Sequence, residues 1–338
     1  MQLKYDLNNR FIKINALNIS QQNTYSRAEE NRASFIKRFL IYQKERFPFL
    51  GHGLLVAAFS FSAISYSRIC RGAEGFISLN DFLVGIFTTI SLFLLLRIAD
   101  EFKDAEDDAL YRPHLPMPRG LISFKELKVM AIIIVLQQVV VNALFFPKML
   151  ILYFAVIAYL ALMSKEFFIA DWLRKQQFWY VVSHMFIIPL VDIYASGLDW
   201  FLAGVSPSKG LLFFFAVSYM NGIVLEIGRK IRTPQQEATG VLTYSSILGA
   251  TKATILWVII LVITLALSIA AAAFAGYGEA AFFILGIVLI ICSLPAFLFL
   301  YKPTERKAKA IELSSAMWTI AMYLTLGGIP MMQKLFFN

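Results

Sequence analysis

The sequence is short of charge: only 16% of its 338 residues are Asp, Glu, Lys or Arg, against 59% hydrophobic, and its mean hydropathy is +0.67. That balance excludes an ordinary soluble domain of this length. Cysteine is nearly absent. Cys70 is expected at the outer end of the first apolar segment and Cys292 within the eighth, which argues against a disulfide between them, and neither has metal-ligating company. The first 46 residues lack the short apolar core and small-residue cleavage site of a signal peptide. They read as a cytoplasmic arm, with an amphipathic stretch near 35–46 lying at the membrane surface. No clear internal repeat is visible, which weighs against a carrier built from two similar halves.

What is present is a series of long apolar runs. Unpaired backbone amides are too costly in hydrocarbon for lipid-exposed loops, so each crossing needs a helix of roughly 20 residues. Nine segments qualify, near 48–67, 80–98, 129–146, 149–164, 178–195, 210–225, 253–276, 281–300 and 311–331. The expectation is an all-α, polytopic bundle of nine transmembrane helices over 47–338, preceded by the 1–46 arm. The segment at 178–195 is the weakest, because it carries His184, Pro189 and Asp192. With the N-terminus inside, alternate loops hold 26 of the 31 Lys and Arg on the cytoplasmic side, which fixes the parity and places the C-terminus outside. The net charge of +9 then follows from topology and attraction to anionic lipid, with no call for nucleic acid. A bacterial inner membrane is the expected location.

Two inside loops carry chemistry. After the second span, six of the nine residues from Asp100 to Asp108 are carboxylates. On a continuing helix Glu101, Asp104 and Asp108 share one face and converge. A divalent cation relieves that repulsion, and Mg²⁺ is usually held by one or two carboxylates with substrate phosphates completing its shell. Next comes Arg112 in a turn dense in proline, ending at Gly120, with Ser123 and Glu126 forming a capping box for the third span. The second loop begins within the sixth span at Asn221 and runs through Glu226, Arg229, Lys230 and Arg232 to Tyr244. Its cations suit phosphate oxygens, Arg by a bidentate fork and Lys as a point charge. Glu226 is placed to orient an arginine or contribute to a metal. Gln137, Gln138, Asn142, His184, Asp192 and Asn221 are costly in lipid and are candidate lumen-facing positions, with Asp192 expected nearer the interface.

Asp100-Glu101-x-x-Asp104-x-x-x-Asp108 resembles the Asn-Asp-x-x-Asp-x-x-x-Asp signature of UbiA-type prenyltransferases. The interval to Gly120 matches theirs, as do Gly240, Thr243 and Gly249 in the second loop and the Tyr159–Lys165 pair ending the fourth span. Where that family carries a second aspartate cluster, this chain has Glu226-Ile-Gly-Arg229-Lys230-Ile-Arg232. The resemblance covers about residues 40–335. It implies transfer of an isoprenyl group from a prenyl diphosphate to a lipophilic acceptor, aromatic ring or lipid, inside the membrane. It further implies Mg²⁺ on Glu101, Asp104 and Asp108, Asp100 in the asparagine position, and diphosphate bound by Lys165, Arg229 and Lys230. A terpene cyclase on the same scaffold and a membrane transporter are the alternatives.

Overall fold

The computed structural model describes residues 30–238 and 240–337, all helical or irregular, with no strand among them. A surface helix, α1 (Phe35–Arg46), precedes the first long helix α2 (Phe49–Cys70). Then come α3 (Leu79–Lys103), the short α4 (Ala105–Tyr111), α5 (Phe124–Phe145) and α6 (Leu150–Ser164). After the short α7 (Ala170–Lys175), the fifth crossing is made by α8 (Gln177–Met185) and α9 (Ile187–Trp200). The remainder is α10 (Gly210–Gly228), the short α11 (Tyr244–Leu248), α12 (Ala250–Phe274), α13 (Gly278–Tyr301), α14 (Glu305–Tyr323) and α15 (Ile329–Phe336). Each long helix packs on the next in sequence, and α14 returns to α2, so the bundle closes on itself.

Eight helices among the described residues are long and apolar enough to cross a membrane. This is an integral, multi-pass membrane protein. The ninth expected span is a broken helical path: α14 starts on the charged run Glu305-Arg306-Lys307, and a π-helical turn at Leu324–Gly328 separates it from α15. Gly327 permits this break, because a Cβ there would stand 2.3 Å from the Ser62 carbonyl oxygen. The weak fifth span does form, but it is divided at Phe186. Pro189 has no N–H to offer the carbonyl one turn back, so the helix is interrupted next to it.

Side chains sort by depth and face as lipid requires. Ile287, Ile290 and Leu294 on α13 are exposed to the outside of the bundle, whereas Trp257, Trp318 and Tyr153 are fully buried. The polar residues expected inside are mostly inside and satisfied. Tyr153 Oη donates to Gln138 Oε1 at 2.8 Å, and Tyr194 Oη donates to Asn142 Oδ1 at 2.7 Å. Two expectations fail. Gln137 is exposed, one position off the buried face that Gln138 occupies. Asp192 is fully buried inside the bundle, beside Ser218 of α10 and Tyr323 of α14, and does not face outward.

Candidate active site

The acidic loop and the cationic loop meet at the end of the bundle that also carries α1. Local sequence explains how each is shaped. The proline-rich segment after Arg112 is a run of turns, and Gly120 adopts φ +78° at its end. Ser123 Oγ accepts from the Glu126 backbone while Glu126 Oε2 accepts from the Ser123 backbone at 2.9 Å, the expected capping box. Arg38 of α1 ties down this cap by donating to the Leu121 carbonyl at 2.9 Å and to Glu126. Arg119 closes the other side on Glu45 at 2.8 Å. The two motif loops interlock where Gly240, at φ +78°, stacks on the Tyr111 ring, with 2.1 Å of clearance for any Cβ.

Beneath these caps is a cavity of about 530 Å³. Its mouth is lined by Asp100, Asp104, Asp107 and Glu226 and by a larger set of cations: Arg46, Arg97, Lys103, Arg112, Arg229, Lys230 and Arg232. The floor is apolar, made by Phe93, Leu96, Met163, Ile187 and Ile188. Phe93, Leu96 and Ile187 also border a separate narrow apolar slit of about 10 Å³, with Leu92, Val156, Leu160 and Val191. One cavity thus joins a net positive mouth to an apolar floor.

The carboxylates do not divide as the spacing predicts. α3 ends and α4 begins at Asp104, whose φ −90° and ψ 8° rotate the second helix relative to the first. As a result Asp100, Asp104 and Asp107 face the cavity, while Glu101 and Asp108 turn into the protein and become fully buried. Both meet Arg46, the last residue of α1. Arg46 Nε donates to Glu101 Oε1 at 2.6 Å, and its Nη2 lies 3.7 Å from Asp108 Oδ2. Arg97 Nη2 adds a second donor to Glu101 at 3.0 Å, and Arg112 Nη2 reaches Asp108 Oδ1 at 2.5 Å. Glu101 and Asp108 are therefore counter-ions that organise three arginines rather than members of a converging metal trio. Arg46 was invisible to motif reading, because nothing in its spacing links the arm to a loop 55 residues away.

The cavity-facing acids are held more loosely. Lys103 Nζ sits 3.6 Å from Asp100 and 4.0 Å from Asp104, and it donates to Tyr180 Oη at 2.7 Å. Burial, together with the like charges of Asp100 and Asp108, pushes the Asp104 carboxyl up to about 6, against the pull of Lys103 and Arg112. Across the mouth, Lys230 Nζ holds Glu226 Oε1 at 2.6 Å and Arg229 Nε holds its Oε2 at 2.8 Å. The neighbouring Glu226 charge raises the Arg229 guanidinium further, so it remains a cation.

Among the described residues no group of three or more His, Cys, Asp or Glu could form a metal cage. Mg²⁺ seldom uses one. Asp100 and Asp104 lie one helical turn apart, facing the cavity with no donor closer than 3.6 Å among their ion pairs, and a shared dication would relieve the repulsion that raises Asp104. These two carboxylates fit an ion completed by substrate phosphate. Other expected site residues lie elsewhere. Lys165 is exposed where α6 ends and is not part of the cavity wall, and Tyr159 Oη is spent on the Ser183 carbonyl at 2.7 Å. Asn221 and Tyr244 are buried and also outside the wall.

No protein-family model matches this sequence, and neither does any curated protein. Solved structures do. One, from work on the biosynthesis of digeranylgeranylglyceryl phosphate synthase in membranes, superposes with a TM-score of 0.54 at 16% identity, over 87% of this chain and 99% of that one. Another, the apo structure of a UbiA homologue from Aeropyrum pernix K1, gives 0.59 at 14% identity, over 79% of this chain and 96% of the other. With a helical bundle capped by two interlocked polar loops and superposing on nearly the full length of both, this chain has the UbiA fold.

Proposed function

We propose that the protein transfers an isoprenyl group from a prenyl diphosphate to a lipophilic acceptor within the membrane. The observation that carries this reading is the cavity with a cation-rich mouth above an apolar floor. A prenyl diphosphate has that same division of chemistry along its length. Lys103, Arg112, Arg229, Lys230 and Arg232 bind the diphosphate oxygens, and Glu226 keeps two of them in place. Asp100 and Asp104 are the residues that would hold Mg²⁺, which would supply positive charge against the leaving group.

The allylic C–O bond breaks with its electron pair passing to the diphosphate, and fixed cations stabilise that charge most where it develops. The allylic cation left behind sits over the floor formed by Phe93, Leu96 and Ile187, which excludes water and offers a π face. A nucleophilic carbon or oxygen of the acceptor then captures it and loses a proton. The acceptor enters the same oily chamber, so membrane lipid and lipid-soluble rings are the substrate class.

The test is to incubate purified protein in nanodiscs with farnesyl or geranylgeranyl diphosphate and Mg²⁺, and to measure diphosphate release. Release is expected, and it should stop in Asp104→Ala. No release with either donor would sink the reading.

A further inference from the structure

His184 lies in the wall of the cavity, only 5% exposed, and its ring is fixed from several directions. Its Nδ1 is 2.8 Å from the Tyr180 carbonyl oxygen. A carbonyl only accepts, so Nδ1 carries the proton and, in the neutral ring, Nε2 carries the lone pair. Nε2 is buried and has no hydrogen-bond partner. The imidazole stacks on Tyr180 with centroids 3.9 Å apart and 18° between planes, and Phe167 meets it edge-on at 6.0 Å. Tyr180 is itself held by Lys103. A satisfied packing histidine would use both nitrogens; this one is anchored through one and leaves the other free.

Its depth matters as much as its free nitrogen. Lys103 and Tyr180 belong to the charged mouth, and His184 follows Tyr180 by one helical turn, about 6 Å further along the helix. The cavity-facing carboxylates are at the mouth, with Glu226 occupied by Arg229 and Lys230. His184 instead shares the cavity wall with the apolar Met163, Met185 and Ile188, the part of the lining suited to the carbon skeleton once the diphosphate is seated.

We infer that His184 Nε2 is the catalytic base that accepts the proton lost when the allylic cation is quenched. This rests on the transfer reading above and deepens it. In transfer, the acceptor's C–H or O–H electrons form or restore its own bonding after the new bond to the allyl carbon is made, and the proton passes to Nε2. Without acceptor, the same base takes a proton from carbon next to the cation, and the C–H electron pair becomes a C=C bond. The products are then an olefin, diphosphate and an imidazolium, which returns its proton to diphosphate.

The partition of the cation reports the base without knowledge of the acceptor. Wild-type protein, His184→Phe and His184→Asn are each incubated in nanodiscs with farnesyl diphosphate and Mg²⁺. Olefin and farnesol are quantified by gas chromatography and mass spectrometry, with diphosphate release followed in parallel. Asn keeps an amide donor for the Tyr180 carbonyl, so it guards against a failure of Phe to fold. The olefin-to-farnesol ratio is expected to fall at least about tenfold in both variants, whatever the rate of release. An unchanged ratio in either folded variant, or farnesol alone from the wild type, overturns the assignment and points to the departing diphosphate as base. Absence of diphosphate release from the wild type instead overturns the transfer reading, and this inference with it.

Discussion

At the residue scale, the carboxylates of the acidic loop have opposite roles despite their adjacency, and each role makes a different prediction. Glu101 is fully buried between Arg46 and Arg97. Removing one member of a buried pair strands the other's charge, so Glu101→Gln and Arg46→Met are each expected to cost about 3 kcal/mol, read as a lowered Tm in detergent. Asp104 behaves the other way. Its carboxyl is raised from 3.8 to about 6, so between these values the folded protein holds a proton that the unfolded chain has lost, and stability falls as pH rises through that window. Asp104→Asn should therefore raise Tm at pH 7.5, lose that advantage near pH 4, and abolish diphosphate release. A Tm that drops at pH 7.5 would show that Asp104 is a structural anchor like Glu101. Motif spacing put Glu101, Asp104 and Asp108 on one face. It missed the break at Asp104, because a single residue with ψ near 0° is enough to re-phase a helix and leaves no mark in composition.

At the element scale, the site depends on contacts between segments that are individually unremarkable in sequence. α1 contributes Arg46, and it is clamped in turn by Arg38 on Glu126 and Arg119 on Glu45. The caps close on each other through Gly240 and Tyr111. A side chain at 240 faces both a disfavoured backbone and a ring at 2.1 Å, so Gly240→Ala should separate the loops. The expected result is inorganic diphosphate binding weakened by at least about tenfold, measured by calorimetry, with α-helical content unchanged. Gly327 is a harsher case, since the obstacle is the backbone of Ser62, which cannot step aside. Gly327→Ala is expected to abolish the monodisperse folded species in size-exclusion chromatography, and normal recovery would contradict the close α2 packing seen at the π-turn.

At the scale of the whole molecule, charge and apolar surface are segregated along one axis. Seven basic residues against four carboxylates line the mouth, while the floor and slit are apolar. Attraction to a polyanion at such a mouth is partly screened, so the Kd for inorganic diphosphate should rise about tenfold between 50 mM and 500 mM KCl. A flat salt response would mean that the cations are consumed by their carboxylate partners. Arg229→Gln with Lys230→Gln should weaken binding further, and these changes also release Glu226 from both of its partners.

The sequence by itself determined the membrane bundle, the approximate positions of eight crossings, and which two loops carry the polar chemistry. These follow from local properties: hydrocarbon demands long apolar helices, and carboxylates or guanidiniums cannot be left along them without a reason. The tertiary structure alone decided which acids face the cavity, that Arg46 reaches back to Glu101 and Asp108, that Lys165 stays outside, and that His184 is held by one nitrogen with the other free. Those outcomes depend on helix phase after a break and on the approach of segments far apart in the chain. Neither is encoded in any short window of residues.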